Sequence, residues 1–315
     1  MITRTLRPSR TVDLGLTLGV LARGRGDPCT RVSRSEVWRA TRTPEGPATT
    51  RITTRITTCP GRSPAALPAA LTMQAWGLGA AWAVEAFPAL IGEEDDDTGF
   101  APRNDVVVDV RRRLGGMRLC RTGAVVEALV PTVLEQKVIG MEARRSYARL
   151  VRTVGERAPR PADGAGPDLF LPPDPAVLAR TPSYVFHRCG VERKRADTIR
   201  VACSYAHRLE EVLTLPRDEA YARLTAVPGI GQWTAAEVAM VALGDADAVS
   251  VGDYHLPHHV AWALAGEPRA DDARMLELLE PYRGHRGRVI RLLVAGAPGP
   301  PRFGPRLPLN PIASL

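Results

Sequence analysis

A glycine-containing turn followed by an isolated carboxylate is the feature of this sequence that could carry chemistry. The turn is PGIG at residues 228–231, and the carboxylate is Asp253 in the segment SVGDYHL. Glycine has no Cβ and admits close approach of another molecule. The free N–H groups of a helix that starts after such a turn attract phosphate oxygens. An ionised carboxylate nearby can offset positive charge that develops on a bound substrate.

Two predicted helices position these groups. Residues 217–226 and 232–243 read as helices that flank the turn, and Asp253 is expected at the start of the next helix. A phosphate site of this kind grips a nucleic-acid strand without reading its sequence. The plainer alternative is an ordinary helical hairpin, with Asp253 serving only to cap its helix.

The N-terminal part has a mixed pattern. Alternating apolar and polar residues predict strands at 11–18 and 51–58, with a third at 36–40, and a helix is predicted at 68–90. The acidic, turn-rich run at 92–105 is expected to be a linker or a loop, and its charged residues are expected to be solvated.

Helical spacing dominates after residue 105. One helix is predicted over 125–154, with Thr122 as its N-cap and a bend at Pro131. A Pro/Gly-rich loop covers 156–175, and helices continue to about residue 294. We therefore predict an α+β protein. A mixed α/β domain at 1–104 precedes an all-helical domain at 105–297 and a Pro-rich tail at 298–315.

The composition favours a polyanionic partner. The formal net charge is +8, which suits nucleic acid or an acidic membrane surface. The apolar stretch at 71–90 is interrupted by Gln74, Glu85 and Pro88, so no membrane span is expected. The N-terminus lacks the apolar core of a secretion signal, and we expect a cytoplasmic location.

Metal chemistry is not indicated by the sequence. The five cysteines form no CxxC pair, so reduced thiols are expected and no zinc or iron–sulfur site can be drawn. His255, His258 and His259 lack the glutamate of a zinc-binding HExxH motif.

Longer segments carry a family resemblance. LTAVPGIGQWTAAEV and the following SVGDYHL resemble the signature of the helix-hairpin-helix DNA glycosylases. GGMRLCRT, VLEQKV and PYRGHRGRVIRLL extend the resemblance over roughly residues 105–293, and within the superfamily it points to the 3-methyladenine DNA glycosylase II type. It implies an enzyme that acts as a monomer on double-stranded DNA containing damaged bases and is associated with the nucleoid.

The resemblance also implies roles for individual residues. Asp253 matches the catalytic aspartate. Trp233, Tyr254 and Gln136 would contact the extruded base, and the DNA backbone would meet Gly229, Gly231, Gln232, Thr234 and Lys137. Trp233 stands where relatives with lyase activity have a Schiff-base lysine, which implies a monofunctional enzyme. The family's hairpin carbonyls can also hold a monovalent cation, whereas no iron–sulfur cluster is implied.

Three residues depart from the family pattern. Lys137 replaces an apolar wedge, and Glu237 and Arg291 stand where aromatic residues are common. These changes lead us to expect a different or narrower substrate range. Excision of alkylated purines, leaving an abasic site, is the function expected. Excision of oxidised or mispaired bases, and non-catalytic binding of damaged DNA, stay open as alternatives.

Overall fold

A five-stranded antiparallel sheet forms the first part of the chain in the computed structural model, which describes residues 1–55 and 70–301. The strand order is β1-β5-β4-β3-β2. The strands are β1 (Ile2–Leu6), β2 (Thr30–Val32), β3 (Glu36–Thr43), β4 (Gly46–Arg55) and β5 (Ala70–Trp76). Helices α1 (Leu14–Leu18), α2 (Ala80–Glu85) and α3 (Phe87–Leu90) share its core. The predicted mixed α/β region is confirmed.

Two of the three predicted strands are confirmed where the structure describes them. Residues 36–40 lie in β3 and residues 51–55 in β4, while 56–58 are outside the described residues. The strand predicted at 11–18 is wrong, because helix α1 begins there. Asp13 caps it by accepting the N–H of Leu16 at 2.9 Å. Leu14, Thr17 and Leu18 are buried, which is helical spacing.

The helix predicted at 68–90 is wrong over its first part. Residues 70–76 form β5, which pairs with β1 on one side and β4 on the other. Leu71, Met73 and Ala75 are buried in alternation. Ala, Leu, Met and Gln favour helices by themselves, but pairing on both sides outweighs that preference. Only the later residues form helices, α2 and α3.

Helices make up the rest of the fold, as predicted. They are α4 (Asp105–Arg113), α5 (Val125–Glu135), α6 (Gly140–Val154), α7 (Pro175–Arg180), α8 (Ser183–Arg188), α9 (Arg193–Ser204), α10 (Ala206–Glu210), α11 (Arg217–Thr225), α12 (Gln232–Ala242), α13 (Leu256–Ala265), α14 (Asp272–Leu279) and α15 (Arg286–Gly296). The architecture is α+β. Most of the predicted Pro-rich tail, residues 302–315, lies outside the described residues.

The single helix predicted over 125–154 is wrong. It is broken into α5 and α6, with Gln136 extended and Lys137 in the left-handed region at φ 54°. Thr122 is not its cap. The carboxylate of Glu210 accepts the N–H groups of Val125 and Val126, each at 2.9 Å. Glu210 of α10 thus caps α5, the role that the sequence analysis assigned to the nearby Thr122.

The acidic loop between α3 and α4 is only partly solvated, which corrects the expectation for 92–105. Asp95 is buried and forms a two-pronged ion pair with Arg288 of α15, at 2.7 and 2.8 Å. Asp95 also accepts the N–H of Leu119 at 3.1 Å. The loop therefore ties the sheet region to the last helix.

Two apolar clusters organise the helices. One lies mainly among α5, α6, α9 and α12, and the other among α4, α13, α14 and α15. The chain passes from the first to the second through residues 243–255, and Asp253 lies on this connection. Within the described ranges, every helix is too short or too polar to traverse a lipid bilayer.

Candidate DNA-binding and active site

The predicted hairpin is present, and its two glycines have different roles. α11 and α12 flank the turn. Gly229 has φ +88°, and a Cβ on it would lie 2.2 Å from Thr198 Oγ1, so the fold requires glycine there. Gly231 has φ −97°, and a Cβ would meet nothing within 4 Å. The space next to Gly231 is therefore open to an approaching molecule.

The first turn of α12 presents free N–H groups beside these glycines. The first helical hydrogen bond is donated by Ala235 to Gly231 O at 2.9 Å. Within the described residues, the N–H groups of Gln232, Trp233 and Thr234 have no acceptor. Gly229, Gly231 and Gln232 are exposed. This is the geometry of a phosphate site at a helix N-terminus.

Gln136 fastens the α5–α6 break to the hairpin. Its Nε2 donates to Gly229 O and to Thr234 Oγ1, both at 2.9 Å. Both amide hydrogens are therefore used, and only Oε1 is left for a base. Thr234 is 2% exposed, so its side chain, which accepts from Gln136, is closed to DNA.

Lys137 is the one non-glycine residue with a positive φ in the part of the chain that the structure describes. The left-handed conformation costs about 1–2 kcal/mol for such a residue. Strained backbone of this kind concentrates at functional positions. The side chain is exposed, and its residue follows directly on Gln136, which contacts the hairpin.

Asp253 lies before α13, as predicted, and is held by three donors. Its Oδ1 accepts the N–H groups of His255 and Leu256 at 2.7 and 2.8 Å. Its Oδ2 accepts the indole N–H of Trp233 at 3.0 Å. The capping role and the chemical role are thus not exclusive. Three donors and the positive end of α13 stabilise the negative charge on this carboxylate.

Tyr254 is separate from this group. Its side chain is 79% exposed, and its ring packs edge-on against His255 and His258, with centroids 4.8 and 6.3 Å apart. Trp233 is half-buried and engaged with Asp253. The structure therefore brings Asp253, Trp233, Gln136 and the hairpin together and leaves the Tyr254 ring outside.

A set of polar groups next to Trp233 and Asp253 was only partly foreseen. Glu237 lies one turn after Trp233 on α12, and Ser250 donates a hydrogen bond to its Oε1. Arg23 pairs with Glu135, the last residue of α5, with 3.3 Å between Nη1 and Oε1. Sequence reasoning noted Glu237 and Arg291 but missed Arg23, Glu135 and Ser250. No local pattern joins a residue of the sheet region to the end of α5.

These groups interact electrostatically. Burial raises the pKa of Glu237, and the negative charges of Glu135 and Asp253 raise it further, whereas the Ser250 hydrogen bond and Arg23 lower it. Burial lowers the pKa of Arg291, and nearby Glu237 opposes that shift. Ionisable side chains from α12, α15, the end of α5 and the sheet region therefore influence one another near Trp233.

Metal ligands are not grouped in the described residues. No set of three or more His, Cys, Asp or Glu side chains there could hold an ion. Cys29, Cys120, Cys189 and Cys203 are buried free thiols, and Cys59 lies outside the described residues. At the hairpin, the Val227 and Gly229 carbonyls accept hydrogen bonds from Ile230 N and Gln136 Nε2. Each carbonyl oxygen keeps one lone pair that a cation could use. The monovalent cation at the hairpin stays a prediction.

Comparisons with known proteins give structural matches only. No family model matches the chain, and no curated protein matches its sequence. A 3-methyladenine DNA glycosylase from Archaeoglobus fulgidus matches with 17% identity and a TM-score of 0.72, over 92% of this chain and 97% of that one.

Two structures of an 8-oxoguanine glycosylase/lyase from Clostridium acetobutylicum match as well. The complex with double-stranded DNA has 11% identity and a TM-score of 0.66, over 93% of this chain and 96% of that one. The apo form has 12% identity and a TM-score of 0.67, over 94% and 97%. Over nearly its whole length, this chain has the fold of the helix-hairpin-helix DNA glycosylases.

Proposed function

We propose that this chain is a DNA glycosylase of base excision repair. It hydrolyses the N-glycosidic bond of a damaged base in double-stranded DNA and leaves an abasic site. The observation that carries the proposal is the Asp253 carboxylate, held by Trp233 at 3.0 Å beside the free N–H groups of the hairpin helix.

DNA binding would start at the hairpin. Phosphate oxygens bind the N–H groups at the start of α12, with Gly231 leaving room for the backbone. The exposed Lys137 enters the duplex where the base has left it. Extruding a base costs a few kcal/mol, least for a base that pairs poorly. The extruded base then lies against the half-buried Trp233, and the exposed Tyr254 can turn toward it.

Asp253 would act on the sugar. As the N-glycosidic bond breaks, positive charge develops on the deoxyribose ring, and the Asp253 carboxylate stabilises it. The base leaves with the electron pair of the broken bond, water then adds to the sugar carbon, and the proton that the water loses passes to solvent. Trp233 offers no amine where a Schiff-base lysine would be needed, so the reaction is hydrolysis without strand cleavage.

Alkylated purines are the proposed substrates. Alkylation gives the purine a positive charge and makes it a good leaving group, so stabilising the sugar cation is enough for catalysis. The similar fold of a 3-methyladenine DNA glycosylase supports this choice. Oxidised purines are the second candidate, because Glu237 gives the pocket hydrogen-bonding capacity and an 8-oxoguanine glycosylase/lyase has a similar fold.

A panel of duplexes tests the proposal, each with one defined lesion at the same position. Abasic sites are detected by strand cleavage after alkali. We expect excision of at least one alkylated purine, with strands intact until alkali is added. Excision of oxidised purines alone would favour the second candidate. Lesion-selective binding without excision on any duplex would instead make the chain a damage-binding protein.

A further inference from the structure

Glu237 has one carboxylate oxygen that the fold does not use. Oε1 accepts the Ser250 hydroxyl hydrogen bond. Oε2 has no hydrogen-bond partner within residues 1–55 and 70–301, yet it is not among the fully buried unpaired atoms. It is therefore an open acceptor in a largely buried setting. A carboxylate oxygen in such a place is costly unless something donates to it.

The position of Glu237 places this acceptor beside the proposed reaction centre. Residues four apart on a helix share one face, so Glu237 lies next to Trp233 along α12. Trp233 in turn contacts Asp253. Asp253 is close enough to Glu237 to act on its charge. Ser250 donates to Glu237 and accepts the N–H of Asp253 at 3.3 Å, so the open acceptor lies close to the Asp253 carboxylate.

Charged groups from distant parts of the chain also act on Glu237. The Arg23–Glu135 ion pair joins the sheet region to the end of α5. Arg291 of α15 donates to Leu16 O at 3.2 Å and interacts electrostatically with Glu237. The surroundings of Glu237 are therefore charged and polar, which favours a ligand with its own hydrogen-bonding edge over an apolar one.

We propose that Glu237 is a specificity-determining residue, whose free Oε2 accepts a hydrogen bond from an N–H donor on the extruded base. The site would then select damaged purines that carry an N–H or amino group on the edge facing α12. A base without such a donor leaves the carboxylate unpaired, and sites built on a hydrogen bond reject such analogues strongly. This inference rests on the proposed base-extruding function.

A positioning role is the competing explanation. Asp253 N donates to Ser250 O at 3.3 Å, and Ser250 donates to Glu237. Glu237 could thus act only by holding the loop that carries Asp253. A positioning residue affects every lesion alike, whereas a residue that reads the base affects lesions according to their donors. Lesion dependence therefore separates the two roles.

Binding of lesions that cannot be excised provides the test. Duplexes carry hypoxanthine, 8-oxoguanine or ethenoadenine on a 2′-fluoroarabino sugar, whose fluorine opposes positive charge and slows cleavage. Hypoxanthine and 8-oxoguanine have N–H donors, and ethenoadenine has none. Affinity relative to the undamaged duplex is measured by fluorescence anisotropy for the wild type, Glu237→Gln and Glu237→Met. Gln keeps an acceptor, and Met keeps only the approximate volume.

Glu210→Gln is the matched control. Glu210 is likewise a largely buried carboxyl whose pKa burial raises, but it caps α5. Glu210→Gln should lower the melting temperature without changing the order of the affinities for the three lesions. Glu237→Met should reduce the preference for hypoxanthine or 8-oxoguanine by about 10- to 100-fold, as expected for a hydrogen bond to a charged group. Glu237→Met should leave the affinity for ethenoadenine unchanged. The lesion preferences of Glu237→Gln should lie between those of the wild type and Glu237→Met.

Three results would overturn the inference. The first is an equal loss of affinity for all three lesions in Glu237→Met, and the second is no change in its affinity for any lesion. The third is a wild type that binds no lesion more tightly than undamaged DNA. Excision of natural lesions by the wild type is measured separately. If the wild type excises bases but Glu237→Met shows no lesion dependence, only this inference fails. If lesion dependence is seen without excision, the proposed catalysis fails instead.

Discussion

Trp233 donates its indole N–H to Asp253 across 3.0 Å and thereby joins the hairpin helix α12 to the carboxylate. Trp233 lies in the first turn of α12, whose free N–H groups face the proposed phosphate site. Asp253 lies before α13 and caps it. One hydrogen bond thus links the proposed phosphate site to the carboxylate that is proposed to act on the sugar.

Asp253→Asn is expected to abolish most excision while DNA binding persists. Removing one preorganised electrostatic group lowers the rate by about 10²–10³-fold. An amide also has one acceptor oxygen, so if it serves the N–H groups of α13, its NH2 group faces the Trp233 N–H. Single-turnover kinetics measure excision, and fluorescence anisotropy measures DNA binding.

Asp271→Asn is the control, since Asp271 also caps a helix, accepting the N–H of Arg274 at 2.9 Å. An unchanged excision rate in Asp253→Asn would refute the role of Asp253.

Trp233→Phe separates orientation from charge. The ring remains, the donor is lost, and Asp253 keeps its negative charge. Because a hydrogen bond to a charged group contributes about 1.5–3 kcal/mol, we expect a rate loss of roughly tenfold or more, smaller than that of Asp253→Asn. The double variant should be little worse than Asp253→Asn alone, since both changes break one interaction. Trp262→Phe in α13 is the control, and strictly additive losses would contradict the coupling.

The hairpin was predictable because its signal is local. Pro228, two glycines and the helix that follows lie within a few residues, and the backbone conformation at Gly229 follows from that pattern. Asp253 was placed at the next helix for the same reason. The break at Lys137 was not predicted, because the contacts that hold it come from Gly229 and Thr234, far along the chain.

The errors in the N-terminal region have a similar cause. Residues 70–76 have helix-favouring side chains, and only pairing with β1 and β4 makes them a strand. Arg23 and Glu135 meet although 112 positions separate them. Such contacts are products of the tertiary fold, and a single sequence without relatives carries no sign of them. The hairpin and the position of Asp253 before a helix could thus be predicted, and the polar groups around them could not.

The wild type is expected to leave intact abasic sites. A Schiff base needs a lysine amine at the sugar, and Trp233 occupies the position that would supply it. The chain has only two lysines, Lys137 and Lys194. Borohydride reduction during the reaction should therefore trap no covalent protein–DNA adduct. If an adduct forms, Lys137→Ala should be tested next, because Lys137 adjoins the hairpin, and loss of the adduct would reveal an unexpected lyase.

Asp95→Ala should destabilise the fold strongly without touching the site. It leaves the guanidinium of Arg288 buried without its carboxylate, and breaking a buried pair in this way costs about 3–5 kcal/mol. Glu94→Ala in the same loop is the control, because its ion pair with Arg121 is half-exposed and contributes about 0–1 kcal/mol. Urea denaturation measures the loss in the free energy of unfolding for both variants. Equal losses would show that the Asp95–Arg288 ion pair does not stabilise the fold more than the half-exposed pair.

Gly231→Asp should weaken DNA binding and leave the fold intact. A Cβ at residue 231 meets nothing within 4 Å, and its φ of −97° suits any residue. The added carboxylate would stand where a phosphate is expected and repel it. Binding should weaken on lesion and undamaged duplexes alike, since phosphate contacts carry no sequence information. Affinity should also depend less steeply on salt, because fewer counterions are released.

Two further substitutions make this hairpin test decisive. Gly231→Ala adds a Cβ without charge and should have a smaller effect, so it separates crowding from repulsion. Gly229→Ala should instead lower stability, because its Cβ would lie 2.2 Å from Thr198 Oγ1 and its φ is +88°. Circular dichroism and thermal melting establish which variants are folded before binding is compared. If folded Gly231→Asp binds both duplexes with wild-type affinity and salt dependence, the hairpin does not hold the DNA backbone, and its glycines serve only the turn.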